Sequence, residues 1–352
     1  MKKYYNKALF YQSFYNVKWG ILGGVILFFL LVYYNTSISL GNVKYSISNL
    51  ESNYIYLNTE VFVLSLFLLI LLVYVMITGF NKRNNITFIT GGPYTKEEVK
   101  KNEFLFLFLT LCLFVFVAAY AIICVYISNK ELLPYIFNPW EYSIFIIIKI
   151  FTLGLAFIVY LSFMDMFFSN LIFTLIALVG FPMAIFFDAL VIGQIYFYRV
   201  DIYNTAALRT YDVLNSIINY IGDIISFISY DYTFYRGSRN VLIIIIAYLI
   251  GSIFVYYLSK FINKKIIINN INKFFVFPLA GKITIFTGVF SLFLGVLYYI
   301  VVLGDLNLFL LRNEIYISNF IYVLGITFIL GLIIVISIYL TKIVLKKVNK
   351  YI

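Results

Sequence analysis

The sequence predicts an all-α polytopic membrane protein of about eight transmembrane helices, with an N-terminal interfacial helix ahead of them. Three observations carry that expectation. Of the 352 residues, 63% are hydrophobic and only 12% are charged, against roughly 45–50% and ~25% in soluble domains. The apolar residues form continuous runs of about 18–25, long enough to cross ~30 Å of hydrocarbon as helices, and not the alternating segments of a barrel. Hydrocarbon offers no partner to a free backbone group, so only these two architectures span it, and the runs choose the helix.

In chain order the runs are 19–34, 61–80, 104–127, 142–163, 171–194, 241–259, 284–303 and 318–341. Trp19, Tyr33 and Tyr34 supply interfacial anchors for the first, which is short. The arm at 1–18 is basic and long, and no small-x-small site follows Tyr34, so no cleavable signal is predicted. The whole of 1–352 reads as one transmembrane domain, with two long connections at 81–103 and 195–240.

Lys and Arg near span ends are retained on the cytoplasmic side. Lys2, Lys3, Lys7 and Lys18 precede the first span, Lys82, Arg83, Lys96, Lys100 and Lys101 follow the second, and two further groups lie at 260–283 and 342–350. Together they hold eighteen of the 26 basic residues. Both termini are therefore expected in the cytoplasm of a multi-pass protein of the cell membrane. The net charge of +11 follows from this topology and from attraction to anionic membrane lipid, so no nucleic-acid partner is expected.

There is no histidine, and the two cysteines, Cys112 and Cys124, fall inside one apolar run. The commonest general base and metal ligand is thus missing, so no metal site, cofactor or catalytic centre is expected. No P-loop is present either: Gly281-Lys282 is followed by Ile283, and Val276 stands where the first glycine belongs. If ATP drives this protein, another chain hydrolyses it.

The outward loop at 195–240 carries Leu214, Ile217, Ile218, Ile221, Ile224 and Ile225 at helical spacing between Asp212 and Ile228, which predicts an amphipathic surface helix. The inward loop is more informative. After Gly91-Gly92-Pro93, Thr95 and Glu98 have the spacing of a capping box, so a helix is predicted to start at Lys96 and run on into the third span. Glu97 and Lys101 form a favourable i, i+4 pair on it. Spacing alone leaves two readings: a charged helix that only turns the chain, or a docking element for a soluble partner.

The segment Gly91-Gly-Pro-Tyr-Thr-Lys-Glu-Glu-Val99 resembles the small-Pro-x-Ser/Thr-Lys/Arg-x-x-hydrophobic signature of permease subunits of the ABC-type-2 exporter family. The arm Lys7-Ala-Leu-Phe-Tyr-Gln-Ser-Phe14, leading into Val17-Lys-Trp-Gly20, is similar to the interfacial helix of those permeases. The two motifs cover about thirty residues, and the rest of the likeness is hydropathy. The resemblance implies a translocation pathway driven by a separate ABC ATPase, enclosed with a second permease copy or a related permease. It also implies that Pro93, Tyr94, Thr95, Lys96, Glu97, Glu98, Val99, Lys100 and Lys101 form the coupling helix, and that transport runs outward. Two features depart from the family: the seventh and eighth spans are extra, and Asn102-Glu103 stands where a Lys is usual.

Charges within spans are costly and generally face protein or water. Lys149 and Asp188 each fall roughly 10 Å below the outer surface on neighbouring spans, which predicts a pair, structural or facing the route. Asp165, at the cytoplasmic end of the fourth span, is expected to be solvated. Gly20 and Gly24 form a Gly-x-x-x-Gly step that permits close helix approach. Two other classes stay open: an ion-coupled secondary transporter using Lys149, Asp188 and Asp165, and a membrane enzyme for lipid or glycan built on Asp201, Asp212, Asp223 and Asp231. No residue specifies the cargo.

Overall fold

Asn6 opens the first helix: its side chain accepts from the Ala8 amide at 3.1 Å, and no proline interrupts the 42 residues after it. The computed structural model describes residues 6–49, 54–79, 94–197, 238–265, 278–299 and 319–351, and among these are eight long helices. They are α1 (Lys7–Ser48), α2 (Thr59–Thr78), α3 (Lys96–Ser128), α4 (Pro139–Asp165), α5 (Leu171–Phe197), α6 (Ser238–Lys265), α7 (Pro278–Tyr298) and α8 (Asn319–Tyr351). All eight are long and apolar enough to cross a membrane, and no strand occurs among the described residues. This is the all-α, multi-pass architecture expected. The stretches 80–93 and 198–237, with the glycines before Pro93 and the amphipathic segment 212–228, lie outside the described residues.

Contacts divide the chain into two compact units, the first holding α1 to α4 with α6 and the second holding α5, α7 and α8. In the first unit α1 differs from the expected arm plus short span. Residues 7–18 are its opening turns, and the helix is 42 residues long, about 63 Å at 1.5 Å per residue. The cause is a buried stripe, Leu9, Ser13, Val17, Gly24, Phe28, Val32 and on to Val43, at steps of mostly four. It keeps one face of α1 against its neighbours from end to end. Phe10 meets Phe106 at 5.3 Å and Phe28 meets Phe114 at 5.7 Å, so α1 and α3 run side by side in the same direction.

Backbone signals close the other elements. Gly79 ends α2 at φ 69° and ψ 161°, a region essentially reserved for glycine, with its amide on the Val75 carbonyl. Asn138 takes the left-handed φ of 44° that Asn tolerates, just ahead of Pro139 at the first turn of α4.

The Gly20/Gly24 step is used inside the chain. A Cβ on Gly20 would lie 2.5 Å from the Met76 sulfur, and one on Gly24 would lie 3.2 Å from Leu69 and from the Phe114 ring. Gly154 on α4 is closer still to Leu111 of α3, with Leu66 of α2 at 3.1 Å. Gly154→Leu is therefore expected to overpack the unit and cost about 1–3 kcal/mol. A thermal midpoint in detergent equal to that of the unchanged chain would disprove this contact.

In the second unit Val191, Leu294, Leu297, Leu330 and Ile333 make a buried cluster joining α5, α7 and α8. Pro182 sits within α5, and the helix continues through it to Phe197.

Candidate functional site

The start of α3 forms as its sequence predicts. Thr95 has extended backbone at ψ 151°, its hydroxyl accepts from the Glu98 amide at 3.3 Å, and the Glu98 carboxylate accepts from the Thr95 amide at 3.1 Å. Glu97 and Glu98 occupy the first turn, where negative charge is favoured by the helix dipole. Thr95→Ala is expected to cost about 1 kcal/mol through loss of the cap, read as faster amide exchange over residues 96–99.

The proposed coupling residues separate into two faces. Thr95, Glu97, Glu98 and Lys101 are exposed, Tyr94 is half-buried, and Val99 is buried. Lys96 is the first residue of the helix, and Pro93 lies outside the described residues. Lys100 turns inward. Its ammonium is 2.7 Å from Glu103 one turn on and 2.5 Å from Asp165, the last residue of α4. The other Asp165 oxygen accepts from the Tyr74 hydroxyl, one turn before the end of α2.

Asp165 is thus not solvated, as expected from its place at a span end, but 3% exposed. The ends of α2 and α4 and the start of α3 meet over it, and one oxygen serves each neighbour. A carboxylate and an ammonium removed from water require this pairing and hydrogen bonding to be tolerated at all. The next turn of α3 carries the contact further. Phe104 lies 5.0 Å from Tyr256 of α6, and Phe106 packs on Phe10 of α1. Within about two turns, α3 therefore touches α1, α4 and α6, and is linked to α2 through Asp165. Asn102, in the same stretch, is buried with its Oδ1 unpartnered.

Lys149, fully buried on α4, donates to the Thr59 hydroxyl at 2.8 Å. Asp188, on α5 in the other unit, accepts from Ser291 of α7 at 3.0 Å. In the first unit the chain before α2 is packed inward, with Ile55 and Leu57 buried, and Thr59 at the start of α2 reaches Lys149. Near it the Leu57 amide donates to the Tyr142 hydroxyl at 3.0 Å. Sequence reasoning missed Tyr74, Glu103, Thr59 and Ser291. Each is a common residue in or beside an apolar run, and only its partner across the fold distinguishes it.

Cys112 and Cys124 are both half-buried on α3 and form no disulfide. The described residues contain no group of three or more His, Cys, Asp or Glu able to hold a metal. Asp201, Asp212, Asp223 and Asp231 fall outside the described residues. No protein-family model, curated protein or solved structure matches this chain.

Proposed function

We propose that the chain is the membrane-spanning permease subunit of an ATP-driven exporter, with both termini in the cytoplasm of a cell that carries it in its plasma membrane. A separate ABC ATPase would push on the start of α3, and a second permease copy or a related permease would complete the pathway. The observation that supports this best is the two-faced construction of that helix start. Glu97, Glu98 and Lys101 are presented outward, while Lys100 is bound to Asp165 and, through it, to Tyr74. A displacement of the exposed face is thereby communicated to the ends of α2 and α4, and through Phe104 and Phe106 to α6 and α1. A helix that only turned the chain would need no such attachment.

The test reverses the exposed charges. The full-length chain is purified from its own cells, and the ATPase recovered with it is measured for the unchanged chain and for Glu97→Lys/Lys101→Glu. The charge-reversed chain should fold normally and lose most of the associated ATPase, because both residues are exposed. Full retention of association and transport by this variant, or transport in vesicles driven by an ion gradient without any ATPase, would defeat the proposal and select the ion-coupled alternative.

A further inference from the structure

Two polar atoms in the second unit are buried without a hydrogen-bond partner, Oδ1 of Asp188 on α5 and Oγ of Ser337 on α8. Such groups are rare in folded proteins, and each one calls for something that answers it. Serine and threonine within a helix commonly return their proton to the carbonyl four residues back. The other described ones on α7 and α8 do so: Thr284 donates to Ala280, Thr287 to Ile283, Ser291 to Thr287 and Thr341 to Ser337, at 2.6–3.0 Å. Ser337 is the exception, and its hydroxyl is fully buried and unused.

Packing sets the two atoms at one level. Val191, Leu294, Leu297, Leu330 and Ile333 form a single cluster. Asp188, a turn before Val191, is tied by a 3.0 Å hydrogen bond to Ser291, itself a turn before Leu294. On α8, Ser337 continues the buried stripe of Leu330 and Ile333 by one further turn. As successive spans, α7 and α8 run in opposite directions, so a turn forward from Ile333 and a turn back from Leu294 reach the same depth. The carboxylate and the two serine hydroxyls thus occupy one layer of the three-helix unit.

We propose that this layer binds a small monovalent cation of the sodium class, held by Asp188 Oδ1 and Ser337 Oγ with Ser291 Oγ as a further donor. All three are hard oxygen atoms, the ligands that hard cations take. Charge then chooses the ion. One carboxylate and one monovalent cation sum to zero, whereas a divalent ion would leave a positive charge in hydrocarbon, which is costly. A water could bridge both orphan atoms, but it would leave the charge of the carboxylate unanswered. The site lies within the second unit and uses no residue from the start of α3, so it stands or falls separately from the permease reading.

Thermal unfolding of the purified full-length chain in detergent, with sodium chloride exchanged for choline chloride at constant ionic strength, tests it. Sodium should raise the midpoint with saturation, because an ion bound only by the folded chain stabilises it, and the bulky choline should not. Ser337→Ala should raise the half-saturating sodium concentration at least about tenfold, the effect of losing one hydroxyl contact to a charge. Asp188→Asn should fold and lose the response, and radiolabelled sodium should bind saturably to the unchanged chain and not to this variant. The proposal is overturned by equal midpoints in the two salts, by an Asp188→Asn chain that keeps the sodium response, or by a midpoint that responds to acid and not to sodium, which would make Asp188 a protonated acid. Should Asp188→Asn fail to fold, Ser337→Ala decides, and an unshifted sodium dependence in it overturns the proposal.

Discussion

Lys100→Met is expected to destabilise the chain by about 3–5 kcal/mol, the usual effect of removing one partner from a buried ion pair. The change removes the ammonium that lies 2.5 Å from Asp165, a carboxylate only 3% exposed. The methionine itself fits, since the stem of Lys100 already lies against protein, so the loss comes from the missing charge-assisted contact. Asp165→Leu added to Lys100→Met should recover most of the stability, because a pair replaced by apolar groups of similar volume is often neutral. Unfolding of the single and double variants in detergent gives the comparison. Additive losses in the double variant would show that the two residues do not stabilise each other.

The second large effect concerns Lys149. Thr59→Val keeps the shape of the side chain and removes the hydroxyl that accepts from a fully buried ammonium. A hydrogen bond to a charged group contributes about 1.5–3 kcal/mol, and a loss of that size is expected. Unfolding of the Thr59→Val chain in detergent at the midpoint of the unchanged chain would refute it.

Lys149 also shows where sequence reasoning stops. Its depth along α4 was legible from residue counting, and depth selects Asp188 as the nearest opposite charge in an ideal bundle. The structure brings to it a threonine at the first turn of α2, after a stretch in which Ile55 and Leu57 are buried. Nothing in the spacing of 54–58 announces that dip. Asp165 shows the same limit. The end of a span looks wet in a hydropathy profile, yet here three helix termini converge and close over it.

The N-terminal arm failed differently. Basic and aromatic residues before an apolar run suggested a helix lying on the membrane surface. The same residues also repeat a small or apolar side chain at every fourth position, and that stripe continues through Gly24 and Phe28. A long partner, α3, accepts the stripe, so the turn between arm and span does not form.

By itself, the amino-acid order determined that this is a multi-pass helical membrane protein with eight segments apolar enough to span, and that a helix starts at Lys96 behind its Thr95 cap. These are local matters: runs of apolar residues against the thickness of hydrocarbon, and a hydroxyl and a carboxylate three residues apart. Only the tertiary structure decided that Lys100 holds Asp165, that Thr59 holds Lys149, and that Ser291 holds Asp188. Those pairings join residues about 65 to 103 positions apart, and the energy of a buried charge depends on which groups the packing of whole helices leaves within a few ångströms.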